Sequence, residues 1–388
     1  MTTPSVEAAR SLAPSLAARA ADHDRDAEFP KADFDDIRAA GLLGLMVPTD
    51  LGGTGAGFAE YAEVAYELAR GSGATALVFN MHASVTGALA STPEELARAM
   101  GATDAFFASR DRVLRAAATG ALYAVAMSER GAGSRFAVMT TTYEPEGDGW
   151  RIRGRKAFCS AAGHADAYLV VARSVDGEPP RISQFLVPAA DGIVVDRTWD
   201  PLGMRATGSH DIELDVHAPV DALLGGVEGL AVLLAQVMPQ WLVASYAAVY
   251  VGVARAVVDA GAIDLQQRGL ARLPAVRARL GRADAAVEAA RLVVADAARR
   301  VDSAPGDPAT NRAVYRAKLT AGDTAQEVAA SVLEACGASA TRRGHPVERL
   351  YRDARCGAIQ PATSDVCADW LGSAMLGLDP DASEESRW

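Results

Sequence analysis

The residues of this chain best suited to chemistry cluster in one stretch, Tyr123-Ala-Val-Ala-Met-Ser-Glu-Arg-Gly-Ala-Gly-Ser134. An apolar, strand-like run breaks there into a loop of small residues. Gly131 and Gly133 tolerate positive φ and let backbone N–H groups approach a ligand closely. The hydroxyls of Ser128 and Ser134 can donate to a carbonyl or phosphate oxygen. A strand feeding such a loop suits a flat cofactor with polar edges, although a glycine-rich loop by itself serves equally well as a surface turn. Two further polar residues, Asn80 and His82, stand in the apolar run Ala76-Leu-Val-Phe-Asn-Met-His-Ala83. Each is either a satisfied core group or a pocket residue.

The segment that follows narrows the reading. Trp150-Arg-Ile-Arg-Gly-Arg-Lys-Ala-Phe-Cys-Ser160 leads on to the strand-like Ala167-Tyr-Leu-Val-Val-Ala-Arg173. Ser128-Glu129-Arg130-Gly131-Ala132-Gly133-Ser134-Arg135 is similar to the pattern [TS]-E-P-x-A-G-S-D. Gly154-Arg155-Lys156-Ala157-Phe158-Cys159-Ser160 is similar to G-x-K-x-[WF]-[IC]-[TS]. Both patterns, in this order and at this spacing, resemble the acyl-CoA dehydrogenase superfamily of flavoproteins. Further pieces agree with that resemblance: Gly41-Leu-Leu-Gly-Leu-Met-Val-Pro48 and the glycine-rich turn after it, and Pro346-Val-Glu-Arg-Leu-Tyr-Arg-Asp-Ala-Arg355. Trp199-Asp-Pro-Leu-Gly-Met-Arg-Ala-Thr-Gly-Ser-His210 is similar to the family's LG-x-R-x-[ST]-x-[ST] loop. Arg205 and Thr207 thereby match positions in a loop that mostly shapes its domain. The resemblance covers nearly the whole chain.

The elements that must position these residues fall into three blocks. Residues 1–118 read as an N-terminal helical domain, in which Phe58, Tyr61, Ala62, Ala65 and Leu68 repeat at one helix face. Residues 119–220 change period to short β-rich runs separated by Gly, Pro, Asp and Glu, a compact β domain. Residues 221–388 return to helix, broken at Ser303-Ala-Pro-Gly-Asp-Pro308 and ending in an acidic tail from Asp379 expected to fray. The fold class is therefore α+β, and the resemblance implies its arrangement as helical domain, central β-barrel and C-terminal four-helix bundle. Gly229 to Ala254 carries no charge and has the length of a membrane span. Gln236, Pro239, Gln240 and Ser245 interrupt it, so it reads as the buried central helix of the bundle.

Half of the 388 residues are hydrophobic and 22% are charged, a globular balance. A net charge of −11 argues against a nucleic-acid partner, which calls for a basic face. The four cysteines lack CxxC spacing and read as reduced thiols of a cytoplasmic protein. No membrane partner and no metal site are expected.

The resemblance implies bound FAD, with Met127 and Ser128 against the flavin ring, Phe158 and Ser160 at its other edge, and Ser134 beside the substrate; Asn80 is a further candidate for the substrate pocket. It implies a homotetramer or homodimer in which one copy reaches its neighbour's flavin. Arg268, Glu334 and Gly337 stand at or near the positions for that contact, with Glu334 replacing a glutamine, and Thr363 and Asp365 stand among the cofactor-binding positions beside the usual base. It also implies a glutamate base that removes the α-proton of an acyl thioester. Pro361 occupies that position, and the alternative home on the first bundle helix, Gln240-Trp-Leu-Val-Ala-Ser-Tyr246, holds no carboxylate. Losing a general base lowers a rate on the order of 10²–10⁴-fold. Three readings follow: an acyl-CoA or acyl-carrier-protein dehydrogenase with a relocated base, for which Asp365 and His82 are the candidates; a reduced-flavin-dependent monooxygenase of the same fold; and a non-catalytic scaffold. The first is the leading expectation, with its redox partner unspecified.

Overall fold

The computed structural model describes residues 2–133 and 135–380. Ser134 and the tail from residue 381 onward lie outside the described residues. The chain begins with α1 (Pro4–Asp26), whose first turn is capped by Thr3 Oγ1 accepting from the Val6 N–H, with Pro4 placed where its missing N–H is harmless. There follow α2 (Lys31–Ala39), α3 (Phe58–Gly71), α4 (Gly73–Ala90), α5 (Glu94–Ala99) and α6 (Asp104–Ala118). The periodic face of Phe58, Tyr61, Ala62, Ala65 and Leu68 is buried, as its spacing predicts. α4 is buried almost all the way round because it packs against α3 on one side and the β-sheet on another.

The sheet holds β1 (Tyr123–Ala126), β2 (Thr142–Glu146), β3 (Gly149–Cys159), β4 (Ala167–Ser174), β5 (Ile182–Pro188), β6 (Ile193–Asp196) and β7 (His210–Pro219). Its order is β1-β4-β2-β3-β7-β6, with β5 pairing the other side of β4. β4 runs parallel to β1 and then to β2, so the sheet curls around a strand shared by three neighbours. Along β3 and β7 the antiparallel register slips between Lys156 and Cys159. Phe158 sits in this bulge at φ 59° and is 61% exposed. A bulge turns a side chain away from the regular alternation, and here it leaves Phe158 outside the sheet's core.

The uncharged run read as one helix is divided. α7 (Leu230–Val237) ends before Pro239, a short turn covers Pro239–Trp241, and α8 (Ser245–Gln267) begins beyond it. Proline lacks the N–H that would continue the helical ladder, so the chain changes direction there. The segment Pro239–Gln267 is long and apolar enough to cross a membrane, and 83% of its most apolar window is buried within the fold. α8 packs with α9 (Pro274–Ser303), α10 (Pro308–Cys336) and α11 (Pro346–Arg355), and α12 (Ser364–Met375) lies on α10. The bundle is tied to the N-terminal helices by Asp302, whose carboxylate accepts the N–H groups of Phe58 at 2.6 Å and Ala59 at 2.9 Å. Only glycine fits at position 57, where a Cβ would stand 2.7 Å from an Asp302 oxygen.

One buried ion pair joins the loop after β1 to β3. Lys156 Nζ donates to Glu129 at 2.8 Å and to the Met127 carbonyl at 3.3 Å. Glu129 also accepts the N–H groups of Thr140 at 2.6 Å and Thr141 at 3.0 Å. Burial disfavours the Glu129 carboxylate, but the Lys156 ammonium and these donors hold its pKa down to about 2. Lys156→Met leaves that carboxylate buried and unpaired. It is expected to lower stability by ~3–5 kcal/mol in denaturant unfolding, and a loss within the range of surface substitutions would show the pair to be dispensable.

Candidate functional site

A cavity of about 540 Å³ opens where α4, the end of β1, the β3 bulge, the loop before β7 and the segments around Gln240 and Gln360 converge. Met127 and Ser128 line it because they directly follow β1. Phe158 and Ser160 line it because the bulge of β3 projects them there. These four residues, singled out by the motif, are brought together. Phe158 meets Trp199 edge to face, with ring centroids 6.0 Å apart, and both form part of the wall.

Behind Ser160 runs a chain of hydroxyl groups whose direction is determined by its far end. Thr207 Oγ1 donates to the Met204 carbonyl at 2.9 Å. Its proton is thereby used, so Ser209, 2.7 Å away, must donate to Thr207. Ser160, 2.9 Å from Ser209, must in turn donate to Ser209. All three residues line the cavity, and the chain leaves the Ser160 oxygen with open lone pairs facing it. An acceptor of this kind, the aromatic pair of exposed Phe158 and partly buried Trp199, and the close-approach loop at Gly131–Gly133 fit the edge and face of a flat, N–H-bearing ring.

The opposite wall comes from the bundle. Lys318, fully buried on α10, donates to the carbonyls of Gly357 at 2.9 Å and Gln360 at 3.1 Å and so holds the loop carrying Ile359, Gln360 and Pro361 against the cavity. Burial lowers its pKa to about 8. Tyr250 donates to Gln360 Oε1 at 2.7 Å. Burial pushes the Tyr246 phenol and the Cys356 thiol up to about 12 each, so both stay neutral. Among the described residues lining the cavity there is no Asp, Glu, His, Lys or Arg.

The two residues expected to act as a base lie elsewhere. α4 turns Leu77, Met81, Ser84, Val85 and Ala88 to the cavity, a spacing of three and four that leaves positions 80 and 82 on other faces. His82 is buried with both ring nitrogens engaged: Nε2 donates to the Leu43 carbonyl at 2.8 Å, and Nδ1 accepts the Tyr123 N–H at 3.1 Å. It anchors β1 to α4 and does not reach the cavity. Asn80, expected beside the substrate, is also buried away from it and accepts the Tyr61 hydroxyl at 2.5 Å. Asp365 is exposed in the first turn of α12 and lines no part of the cavity.

The remaining expected cofactor positions also lie outside it. Thr363 caps α12 by accepting the Val366 N–H at 3.3 Å. Arg268 follows α8 and donates to the Cys336 carbonyl at 2.6 Å and to Asp264 at 2.9 Å. Glu334 is exposed and pairs with Arg279 at 2.6 Å, and Gly337 ends α10 at φ 76°. Arg268 and Gly337 thus meet around Cys336 at one end of the bundle. Ser134 lies outside the described residues. Sequence reasoning passed over Ser209 altogether, assigned Thr207 to shaping a loop, and noticed Gln240 only as a break in an apolar run without charge and Tyr246 only for the charge it lacks.

Comparison with known proteins agrees with this layout. The chain matches the acyl-CoA dehydrogenase N-terminal domain over residues 6–100, the middle domain over 124–216 and the C-terminal domain over 239–376. It belongs to the acyl-CoA dehydrogenase superfamily. The expected flavoprotein fold is therefore its fold, and relatives with this fold are flavin oxidoreductases. L-evernosamine nitrososynthase of Micromonospora sp. is 32% identical over 95% of this chain and 89% of its own length. The short-chain specific acyl-CoA dehydrogenase of Bos taurus mitochondria is 29% identical over 89% of this chain and 83% of its own. FMN-bound TdsC of Paenibacillus sp. A11-2, a dibenzothiophene monooxygenase, superposes with a TM-score of 0.84 at 26% identity, covering 97% of this chain and 98% of that one. Superfamily members of this fold thus include dehydrogenases and oxygenating enzymes.

The anchoring role of His82 has a pH signature. Burial lowers its pKa from 6.5 to about 4 in the folded protein. The unfolded chain then binds the proton more tightly, and stability is lost as pH falls from 6.5 towards 4, by roughly 3 kcal/mol in all. Urea unfolding across that range is expected to show a steeper loss of stability in wild type than in His82→Gln, where His164 and His210, held below their ordinary value by partial desolvation, still contribute. An equal slope in both proteins would assign the effect to another group.

Proposed function

We propose that the protein is a reduced-flavin-dependent monooxygenase acting on an uncharged, largely apolar small molecule. The observation that carries the proposal is the neutrality of the cavity. Dehydrogenation of an acyl thioester needs a base to take the α-proton. Where the resemblance places that base, the wall presents Pro361 and the amide and phenol of Gln240 and Tyr246. His82 and Asp365 lie outside it. Oxygen transfer to a nitrogen, sulfur or electron-rich carbon makes no such demand. Nitrososynthase and dibenzothiophene monooxygenase are among the named relatives of matching fold, and their names favour the same class.

Reduced flavin would supply both electrons and activate dioxygen, so that one oxygen atom enters the substrate and the other leaves as water. The chain's own residues position and seclude the reactants. The backbone after Met127 and the Phe158–Trp199 pair would hold the ring, and the Ser160 oxygen would accept a ring N–H. The Lys318-braced loop and the apolar faces of α4 and α7 keep bulk water from the reacting atoms. FMN fits better than FAD, since the exposed Glu334 carboxylate and the Arg268 already paired with Asp264 make a poor seat for a neighbour's pyrophosphate. The resolved FMN complex of the structural relative favours the same choice. Four free cysteines support a reducing, cytoplasmic setting.

The test supplies FMN reduced by a separate reductase, ¹⁸O₂ and a panel of aromatic amines, indoles and thiophenes, and reads products by mass spectrometry. One ¹⁸O atom per product molecule is expected. Anaerobic bleaching of the flavin by short-chain acyl-CoA, with an enoyl product, would restore the dehydrogenase reading instead. The hydroxyl chain gives an independent check. Thr207→Val removes the group that sets its direction, allowing the Ser160 proton to face the cavity. The midpoint potential of the bound flavin is expected to fall by roughly 20–30 mV, near a tenfold loss of preference for the reduced form. An unchanged potential would mean that Ser160 does not accept the N–H that the ring gains on reduction.

A further inference from the structure

We infer that Gln240 is a specificity-determining residue that receives an N–H from a neutral nitrogen compound, an aromatic amine or an N–H heterocycle, through its carboxamide oxygen. The inference deepens the proposed function and rests on it in taking the cavity as the place where substrate binds. Gln240 lines the cavity, is 2% exposed, and its Oε1 has no hydrogen-bond partner. A buried carbonyl without a donor keeps its full desolvation penalty, so a ligand N–H placed there restores what folding left unpaired.

Several other polar groups on the bundle and helix walls are committed. Gln360 Oε1 accepts from Tyr250. Ser84, Ser91 and Thr92 turn back to helix carbonyls at 2.8, 2.7 and 3.1 Å. Among the described lining residues, Gln240 is the one whose carboxamide oxygen is both buried and unpaired. The backbone beneath it is fixed. Pro239 begins a turn closed by the N–H groups of Leu242 and Val243 on its carbonyl, at 3.0 and 2.9 Å. Trp241 then wedges between Phe58 and Tyr61 and lies over Gly87, where a Cβ would come within 2.1 Å of the indole ring.

The charge of the nitrogen follows from the same wall. Among the described lining residues there is no carboxylate to accompany an ammonium, and a lone buried cation is strongly disfavoured. The nitrogen therefore enters uncharged. The apolar lining and the rings of Phe158, Trp199 and Trp241 favour an aromatic carrier for it.

Matched probes test this on the FMN-loaded protein without turnover: indole against 1-methylindole, and aniline against N,N-dimethylaniline, titrated by calorimetry at pH 7. The N–H member of each pair is expected to bind about 5–10-fold more tightly to wild type, and Gln240→Met to bind both members alike. Should that variant not fold, Gln240→Asn, which withdraws the oxygen by one methylene, is expected to reduce the preference. Equal binding of the pairs by wild type would overturn the inference, as would a preference that survives in the variant. Failure of every probe to bind at millimolar concentration would do the same, as would tighter binding of the methylated members, the result if the amide presents its NH₂ group. An N–H preference without ¹⁸O incorporation would leave the binding role intact and remove the oxygenase reading. Incorporation without the preference would do the reverse.

Discussion

The geometry of the site depends on the buried Lys156–Glu129 pair. A glycine-rich loop has no intrinsic reason to hold one conformation, and here it must hold Met127 and Ser128 against a β-strand that carries the other half of the wall. The ammonium of Lys156 reaches from β3 to the loop's carboxylate and to the Met127 carbonyl. The Ala157 N–H closes the contact on the Ser128 carbonyl at 2.8 Å. Immediately beyond these anchored residues the register of β3 slips, and Phe158 and Ser160 are delivered to the cavity. A buried pair contributes little net stability, because desolvation offsets most of its Coulomb attraction. What it supplies is position: either charge left alone would be far worse than both together, so alternative loop conformations are excluded.

A second buried lysine works in the same way on the opposite wall. Lys318 pairs with no carboxylate in its hydrogen bonds; it gathers the carbonyls of Gly357 and Gln360. The loop it holds is the one on which relatives with a conventional base are expected to carry their glutamate. In this chain the braced loop carries Pro361. The support of the site and the chemistry of the site are thus separable: the same scaffold can keep its cofactor wall while its substrate wall is emptied of charge.

That emptying changes what the cavity can do. In a low-dielectric pocket an ionised group dominates the local energetics, favouring its counter-ion and polarising its surroundings. Here the surroundings are carboxamides, the Tyr246 phenol, hydroxyls and apolar side chains, and burial keeps Tyr246 and Cys356 protonated. Such a wall discriminates by shape and by single hydrogen bonds. It is suited to an oxygen transfer in which the cofactor carries the electronic work and the protein supplies orientation and dryness.

Much of this was legible in the residues themselves. The 3.6-residue spacing of Phe58, Tyr61, Ala62, Ala65 and Leu68 determined the buried face of α3, the β-rich runs after residue 119 determined a sheet, and the two motifs placed Met127, Ser128, Phe158 and Ser160 at one site. The empty base positions, Pro361 and the uncharged Gln240–Tyr246 segment, were also plain in the sequence. The tertiary structure decided which polar residues face the cavity. His82 and Asn80 stand one residue either side of Met81, and only the rotation of α4 against β1 and α3 turns Met81 inward and engages its two neighbours elsewhere. The hydroxyl chain joins positions 160, 207 and 209, brought together by the pairing of β3 with β7, and its direction depends on a carbonyl at 204. Pro239 marked a break in an apolar run, but that the break leaves an unpaired amide in a cavity depends on what packs around it. Local patterns record what a residue prefers; hydrogen-bond partners and cavity walls come from segments far apart in the chain, and only the folded packing brings them together.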